Sequence, residues 1–220
     1  DFTVPKLIKG MKQFYFIILL TGCMMAANAQ SSLRGMRIFV NVPSFTEFDG
    51  GPALGLEYRI KDNISVALEG QWILYDYDDW KADSHGFRFT PEVKFFLPGR
   101  KHRYKWFFAA QALYKQVNTF EDYIIPHYEN NLLVYEELGT FEKQKQVFAF
   151  GGRFGVQTNF GGKKEKFFVE LSLGSGFRWK GTHFMQRPPE GSIRRGHQPL
   201  IATEGWLPDV PFKVRFGYRL

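Results

Sequence analysis

The sequence predicts an all-β protein, an eight-stranded antiparallel up-and-down transmembrane β-barrel. In the last ten residues, 211–220, large apolar residues alternate strictly with mostly basic ones. A period of two places successive side chains on opposite faces of a strand. Seven further segments repeat the alternation, and the connections between the eight segments are alternately short and long. Together these observations predict a closed barrel with an apolar outer face.

Each predicted strand carries its apolar side chains on the face that we assign to lipid. The eight segments are 35–42, 53–60, 64–74, 87–97, 105–117, 146–160, 167–180 and 211–220. Pro91 cannot donate a hydrogen bond to the ladder, so a bulge or a local break is expected in the fourth segment. After residue 30 no apolar run approaches the ~18 residues that a membrane helix needs, which leaves a closed barrel as the way to span a membrane.

The lengths of the connections predict the orientation of the barrel. Three connections are short, namely 61–63, 98–104 and 161–166. Four are longer, namely 43–52, 75–86, 118–145 and 181–210. Short periplasmic turns and long extracellular loops are typical of outer-membrane barrels. A soluble barrel has no reason to keep all its long loops at one end.

The polar face of the strands predicts a charged interior. A lipocalin-type barrel would be inverted, with an apolar inside and a polar outside. The interior of an eight-stranded barrel is just wide enough for side chains to fill it, so a packed network of charges is expected. A conducting or proton-relay pore is the alternative. The predicted network consists of Glu57, Arg59, Glu69, Arg88, Glu92, Lys94, Arg153, Glu170, Arg178, Lys213 and Arg215.

The N-terminal residues predict export. A basic start, an apolar middle and small residues before a cleavage point make 11–29 a signal peptide, with the barrel in 30–220. Residues 1–10 precede Met11 and are interpreted as an upstream, non-native extension. Cys23 leaves two processing routes open: cleavage after Ala29, or lipidation at a lipobox-like Leu-Thr-Gly-Cys. The formal charge of +7 does not indicate nucleic-acid binding, because many of the basic residues face the interior or lie in turns.

No catalytic, cofactor or metal site is predicted. Lipid A deacylase barrels use a His-x-Ser motif, and none of the five histidines has a serine two residues on. A partial resemblance to omptin proteases, with Asp76, Asp78 and Asp79 opposite His183, is better explained as a solvated acidic loop. The spacing of acidic residues around His127 matches no metal-ligand pattern. We therefore expect a protein that is not an enzyme.

The fourth long connection is basic, unlike the second and third. Arg187, Arg194 and Arg195 lie in it, and guanidinium groups suit phosphate or carboxylate, including lipopolysaccharide headgroups. The three arginines are therefore the candidate contact for an anion or for lipopolysaccharide. The alternative is that they pair with the acidic loops beside them.

Two segments carry a family resemblance. Pro-Ala-Leu-Gly-Leu-Glu-Tyr-Arg at 52–59 and Phe-Thr-Pro-Glu-Val-Lys-Phe-Phe at 89–96 resemble the small outer-membrane β-barrel proteins of Bacteroidota, porin-like or outer-membrane-protein-A-like barrels that are mostly domains of unknown function. The resemblance implies a barrel in a Gram-negative outer membrane and no activity.

We therefore expect a monomer in outer-membrane lipid, inserted by the barrel assembly machinery, with a structural or surface-binding role. A lipid-modifying barrel enzyme, a narrow passive channel and a soluble periplasmic β-sandwich are the alternatives.

Overall fold

Eight antiparallel strands form a closed ring in the computed structural model, which describes residues 35–47, 49–76, 84–98, 104–130, 132–160, 166–194 and 204–220. Each strand pairs with the next along the chain, and the last pairs with the first, with Ile38 opposite Tyr218. The predicted all-β, eight-stranded antiparallel barrel is confirmed. The strands are β1 Met36–Asn41, β2 Ala53–Lys61, β3 Ile64–Ile73, β4 Ser84–Phe96, β5 Tyr104–Glu129, β6 Leu132–Phe160, β7 Phe167–Phe184 and β8 Phe212–Arg219.

We call the end of the barrel that carries the long connections the loop side. Several short elements lie there. A 3-10 helix, Val42–Phe45, follows β1. The two-residue strand Asp49–Gly50 pairs with Tyr75–Asp76. Ile193–Arg194 pairs with β5, and Gly205–Asp209 pairs with β7. No helix within the described part of the chain is long and apolar enough to cross a membrane.

The alternation of the sequence sets the two faces of the wall. In each strand one set of alternate residues, mostly apolar, points outward, and the residues between them face the lumen, most of them buried or half-buried. At Pro91 the pairing of β4 with β5 passes from Phe89–Tyr114 to Glu92–Gln111 without a change of register. The proline therefore interrupts the ladder locally and creates no bulge. The register does shift elsewhere, between Arg59 and Lys61 of β2.

The prediction that residues 118–145 form a long loop is wrong. The ladder between β5 and β6 runs on through it to Glu129 opposite Leu132, so the segment is a hairpin that continues both strands. Apolar residues stop alternating on the outer face at Gln116, and the sequence pattern therefore predicts the end of the strand there. Beyond that point cross-strand pairs of another kind support the hairpin, such as Lys143 with Glu121 and the edge-to-face rings of Tyr123 and Phe141.

Two rows of aromatic rings border the apolar outer face. On the loop side Tyr114, Phe148 and Trp179 lie on neighbouring strands, with ring centroids 4.9 Å and 5.9 Å apart. At the opposite end, the turn side, Phe160, Phe167 and Tyr218 form a similar row, with centroids 5.8 Å and 5.2 Å apart.

Just beyond the loop-side row the outer face becomes polar. Gln116 lies opposite Gln146, and Asn118 lies opposite Gln144. Gln144 hydrogen-bonds to Asn118 at 3.1 Å and accepts a hydrogen bond from Gln146 at 2.9 Å. The change from rings to amides falls at the same level on both strands, so the apolar band has a sharp edge there.

Candidate functional site

Eight buried charged residues occupy the middle of the lumen. The alternation of β2, β3, β4 and β7 turns one glutamate inward from each strand, and four cations from other positions around the ring meet them. We call this set the central charge cluster. It consists of Glu57, Glu69, Glu92 and Glu170 with Arg37, Lys94, Arg153 and Arg215.

Arg215 of β8 is the hub of the cluster and is 0% exposed. Its guanidinium donates to Glu69 at 2.8 Å and 3.1 Å and to Glu92 at 2.9 Å and 3.2 Å. A further bond of 3.2 Å reaches Glu170. The planar fork of an arginine can serve several carboxylate oxygens at once, and here it joins β8 to β3, β4 and β7 across the lumen.

The other cations complete the neutralisation of the glutamates. Lys94 donates to Glu57 at 2.5 Å and also binds Glu170. Arg153 binds Glu92 and the hydroxyl of Ser172, and Arg37 donates to Glu57 at 3.2 Å. Within these eight residues four carboxylates meet four cations, and Arg88 and Lys213 add further positive charge at Glu69.

Three phenylalanine rings pack among these charges. Arg215 lies over Phe39 at 4.4 Å, Arg37 lies over Phe168 at 5.2 Å, and Lys94 lies 5.3 Å from the ring centre of Phe107. Glycines make room for two of the rings. A Cβ at Gly55 would lie 2.1 Å from Phe39, and one at Gly217 would lie 2.3 Å from Phe168. The cluster is therefore packed solid, and its members have almost no exposed surface.

A cavity of about 460 Å³ lies above the cluster on the loop side. We call it the vestibule. The connection 42–52, the upper halves of β4 to β7 and the start of β8 surround it. Its lining is Pro43, Thr46, Glu47, Asp49, Arg88, Gln111, Leu113, Lys115, Lys145, Val147, Ala149, Arg178, Lys180, Asp209, Val210, Pro211, Phe212 and Lys213.

The vestibule has an excess of positive charge, with six basic side chains against three carboxylates. Arg88 and Lys213 lie at its lower end, where both also contact Glu69 of the cluster, at 3.4 Å and 3.1 Å. Arg88 also pairs with Glu47. Such a lining repels cations and attracts anions from the loop side.

Asp49 lies between two lysines in the vestibule wall. Its carboxylate accepts bonds of 2.5 Å from Lys115 and from Lys145. Burial by itself would raise the pKa of Asp49, but the two ammonium groups outweigh it and hold the pKa below its usual range. The carboxylate therefore stays ionised at neutral pH and ties the connection 42–52 to β5 and β6.

Asp49→Asn is expected to lower the unfolding free energy at pH 7 by about 2 kcal/mol, the scale of a charged hydrogen bond. Because the pKa is lower in the folded state, the contribution is fully present above the unfolded value of about 3.9 and is lost as the pH falls below it. Urea unfolding of the two proteins in detergent at pH 7 and pH 3 measures this. A gap between wild type and variant that widens at pH 3 would contradict the assignment.

Two members of the predicted interior network lie apart from the glutamates. Arg59 lies just before the register shift of β2, near the turn side, and its guanidinium lies over the ring of Phe96 at 4.5 Å. Arg178 lies about 27 Å along β7 from Glu170, at the level of the vestibule. Neither arginine forms an ion pair with another described residue. The remaining predicted members are all buried, and the structure brings them together.

The predicted anion contact is only partly described. Arg187 is exposed in the connection after β7. The backbone of Arg194 pairs with Tyr123 of the β5–β6 hairpin. Arg195 lies outside the described residues, as do Asp78, Asp79 and the predicted signal peptide. A role for the three arginines in binding stays a prediction.

No cluster of three or more possible metal ligands occurs among the residues that the structure places. His127 contacts Glu137 at 3.1 Å on the exposed hairpin, and its ring stacks on Tyr135.

Sequence reasoning missed several residues of the lumen. Asp49 and Lys145 lie in segments that the sequence predicts to be loops, and Phe39, Phe107 and Phe168 are apolar residues on the polar face. The alternation itself was the signal for the rings, because each occupies an inward position. No sequence signal paired Asp49 with its lysines.

Comparison with known proteins gives a structural neighbour and a family. The chain is similar to the crystal structure of the N-terminal β-barrel domain of OprF from Pseudomonas aeruginosa, with 11% identity and a TM-score of 0.39, over 84% of this chain and 96% of that one. No curated protein matches the sequence. A family model covers residues 14–184, most of the chain. The chain therefore belongs to the family described as Protein of unknown function (DUF3575).

Proposed function

We propose that the chain is an outer-membrane β-barrel that is closed to ion flow, is not an enzyme, and acts by binding at its loop-side mouth. The observation that carries the proposal is the outer face of the wall, where an apolar band lies between two rows of aromatic rings. Aromatic rings of this kind concentrate at the two water interfaces of a membrane.

The height of the band fits a bilayer. On β5 the outward apolar residues run from Trp106 to Tyr114, about 27 Å along the strand. At a tilt of ~40° this corresponds to about 20 Å along the membrane normal, close to the ~25 Å apolar band of such barrels. In water so large an apolar surface would be a strong aggregation site, because monomeric soluble proteins keep their exposed apolar patches to a few hundred Å².

The central charge cluster supports a closed lumen. Its side chains are buried from both ends, so an ion crossing the barrel would have to displace Arg215 or Lys94 from their carboxylates. Separating a buried ion pair costs several kcal/mol. The vestibule above the cluster supplies cations, carboxylates and an amide, which are groups that bind a solute. We also propose that the barrel is monomeric; its Bacteroidota origin and signal peptide remain predictions.

Orientation in the membrane gives the first test. Glu129→Cys places a thiol at the hairpin tip on the loop side, and Asp62→Cys places one in a short turn on the turn side. Both positions are exposed and acidic, so the two variants are matched. A membrane-impermeant maleimide applied to intact cells is expected to label Glu129→Cys only. Labelling of Asp62→Cys alone would invert the orientation, and equal labelling in a soluble fraction would refute membrane insertion.

Conductance gives the second test. The purified full chain, inserted into a planar bilayer in 1 M KCl, is expected to produce no discrete current steps above those of a detergent control. Regular steps whose size scales with salt concentration would show an open path through the central charge cluster and would favour the narrow channel.

A further inference from the structure

We infer that the vestibule is a binding site for a small anionic sugar, one that carries a phosphate or carboxylate group. Arg178 holds the anionic group, and Gln111 accepts a hydrogen bond from a sugar hydroxyl. The inference rests on the proposed function, since it names the ligand class of the loop-side mouth.

The charges of the vestibule leave room for an anion. The lining carries six basic side chains and three carboxylates. Arg178 forms no ion pair with any residue that the structure describes, so a bound anion can pair with it.

Arg178 is placed to act as the anchor. It is half-buried on β7, it lines the vestibule, and its Nε has no hydrogen-bond partner. Guanidinium groups bind phosphate and carboxylate through two parallel hydrogen bonds, one of which commonly uses Nε. Arg88, which also lines the vestibule, differs because Glu47 and Glu69 already occupy it.

Gln111 adds a requirement for a hydroxyl group. Gln111 lines the vestibule and is 8% exposed, and its carbonyl oxygen is buried without a hydrogen-bond partner among the described residues. Buried acceptors in native proteins are normally hydrogen-bonded, so a hydroxyl of a ligand can satisfy the free carbonyl oxygen of Gln111. Inorganic phosphate at neutral pH can pair with Arg178. An anionic sugar can do the same, and its several hydroxyl groups can also donate to Gln111.

The strand register brings the two groups to one opening. Gln111 of β5 lies opposite Gly151 of β6, and Gly151 lies opposite Gly176 of β7. Arg178 follows Gly176 on the same inward face and lies opposite Ala149. No side chain larger than alanine stands between the amide and the guanidinium on these rows, so a single ligand can reach both.

The size and the walls of the vestibule fit the same ligand class. About 460 Å³ lies within the ~300–1,000 Å³ range of small-molecule sites. Leu113, Val147 and Pro211 give the lining an apolar side. A pyranose ring has an apolar face of C–H groups and a rim of hydroxyls, which matches such a mixed lining.

The test is calorimetric titration of the full chain in detergent micelles. Glucose 6-phosphate and glucuronate are expected to bind, and neutral glucose is not. Arg178→Gln is expected to weaken both anions at least tenfold. Gln111→Leu is expected to weaken glucose 6-phosphate and leave inorganic phosphate unchanged. Arg219→Gln, at the turn side of β8, is the matched control and should bind as wild type does.

Heat-modifiable gel mobility checks that each variant is folded. If Arg178→Gln does not fold, the ratio of sugar phosphate to phosphate affinity in Gln111→Leu decides the question. Folded wild-type protein that binds neither anion overturns the inference, as does binding that both vestibule variants leave unchanged. If maleimide labelling on cells succeeds and the titration fails, the inference alone is lost.

The anionic sugar could be a free solute or the phosphorylated disaccharide of lipid A. Adding lipid A to the micelles separates these sources. Displacement of glucose 6-phosphate by lipid A assigns the site to the lipid headgroup, and titrations that stay unchanged assign it to a solute.

Discussion

Arg215→Met is expected to lower the free energy of unfolding by about 3–5 kcal/mol, because it leaves three buried glutamates without their shared cation. Methionine fills a similar volume, so the effect reports the loss of charge and hydrogen bonds more than a cavity. Urea titration of the detergent-folded barrel, followed by tryptophan fluorescence, measures the change.

Arg219→Met is the control for this variant. It removes the same side chain from the same strand, but Arg219 is exposed at the turn side, where charge contacts are worth about 1 kcal/mol or less. Equal effects of the two substitutions would mean that the central charge cluster does not stabilise the barrel.

Leu171→Arg is expected to cost about 2–4 kcal/mol in a lipid bilayer, since an arginine on the lipid face near the midplane has to be drawn toward the headgroups. Leu171 is 49% exposed and lies in the middle of the apolar band on β7. Equilibrium unfolding in denaturant, with the protein folded into phosphatidylcholine vesicles, measures this change in unfolding free energy.

Leu132→Arg is the matched comparison. Leu132 is 72% exposed, more than Leu171, but it lies at the tip of the β5–β6 hairpin beyond the aromatic rows. In water the two substitutions would be equally harmless. A large cost at Leu171 with almost none at Leu132 is the result expected of a membrane-spanning wall, and equal small costs would refute it.

The sequence predicted those parts of the fold in which every second residue has to be apolar, because it faces outward from the barrel wall. Phe212, Val214 and Phe216 face outward, and Lys213 and Arg215 inward, because a barrel wall has two unlike sides. The inward direction of Arg153 or Glu170 followed from the same rule. Their partners did not, because neighbours across a lumen depend on the stagger of all eight strands.

The predictions fail where the strict alternation of apolar and polar residues ends. Above Gln116 the outer face lies beyond the apolar band, and the β5–β6 hairpin is supported there by cross-strand pairs that leave no simple period in the sequence. Arg178 sits on the predicted face but higher than the glutamates, and only the register reveals that it belongs to the vestibule. Asp49 reaches its lysines from a connection whose path the sequence does not specify.

The position of Arg215 on the last strand has a consequence for how the chain folds. Its carboxylate partners Glu69 and Glu92 lie far earlier in the sequence, on β3 and β4. Until β8 arrives these acids lack their central counter-charge, and β1 keeps an unpaired edge in the place that β8 fills. Contacts that are so distant along the chain form late and slowly. Barrel closure therefore also completes the neutralisation of Glu69 and Glu92, whose shared cation arrives only with β8.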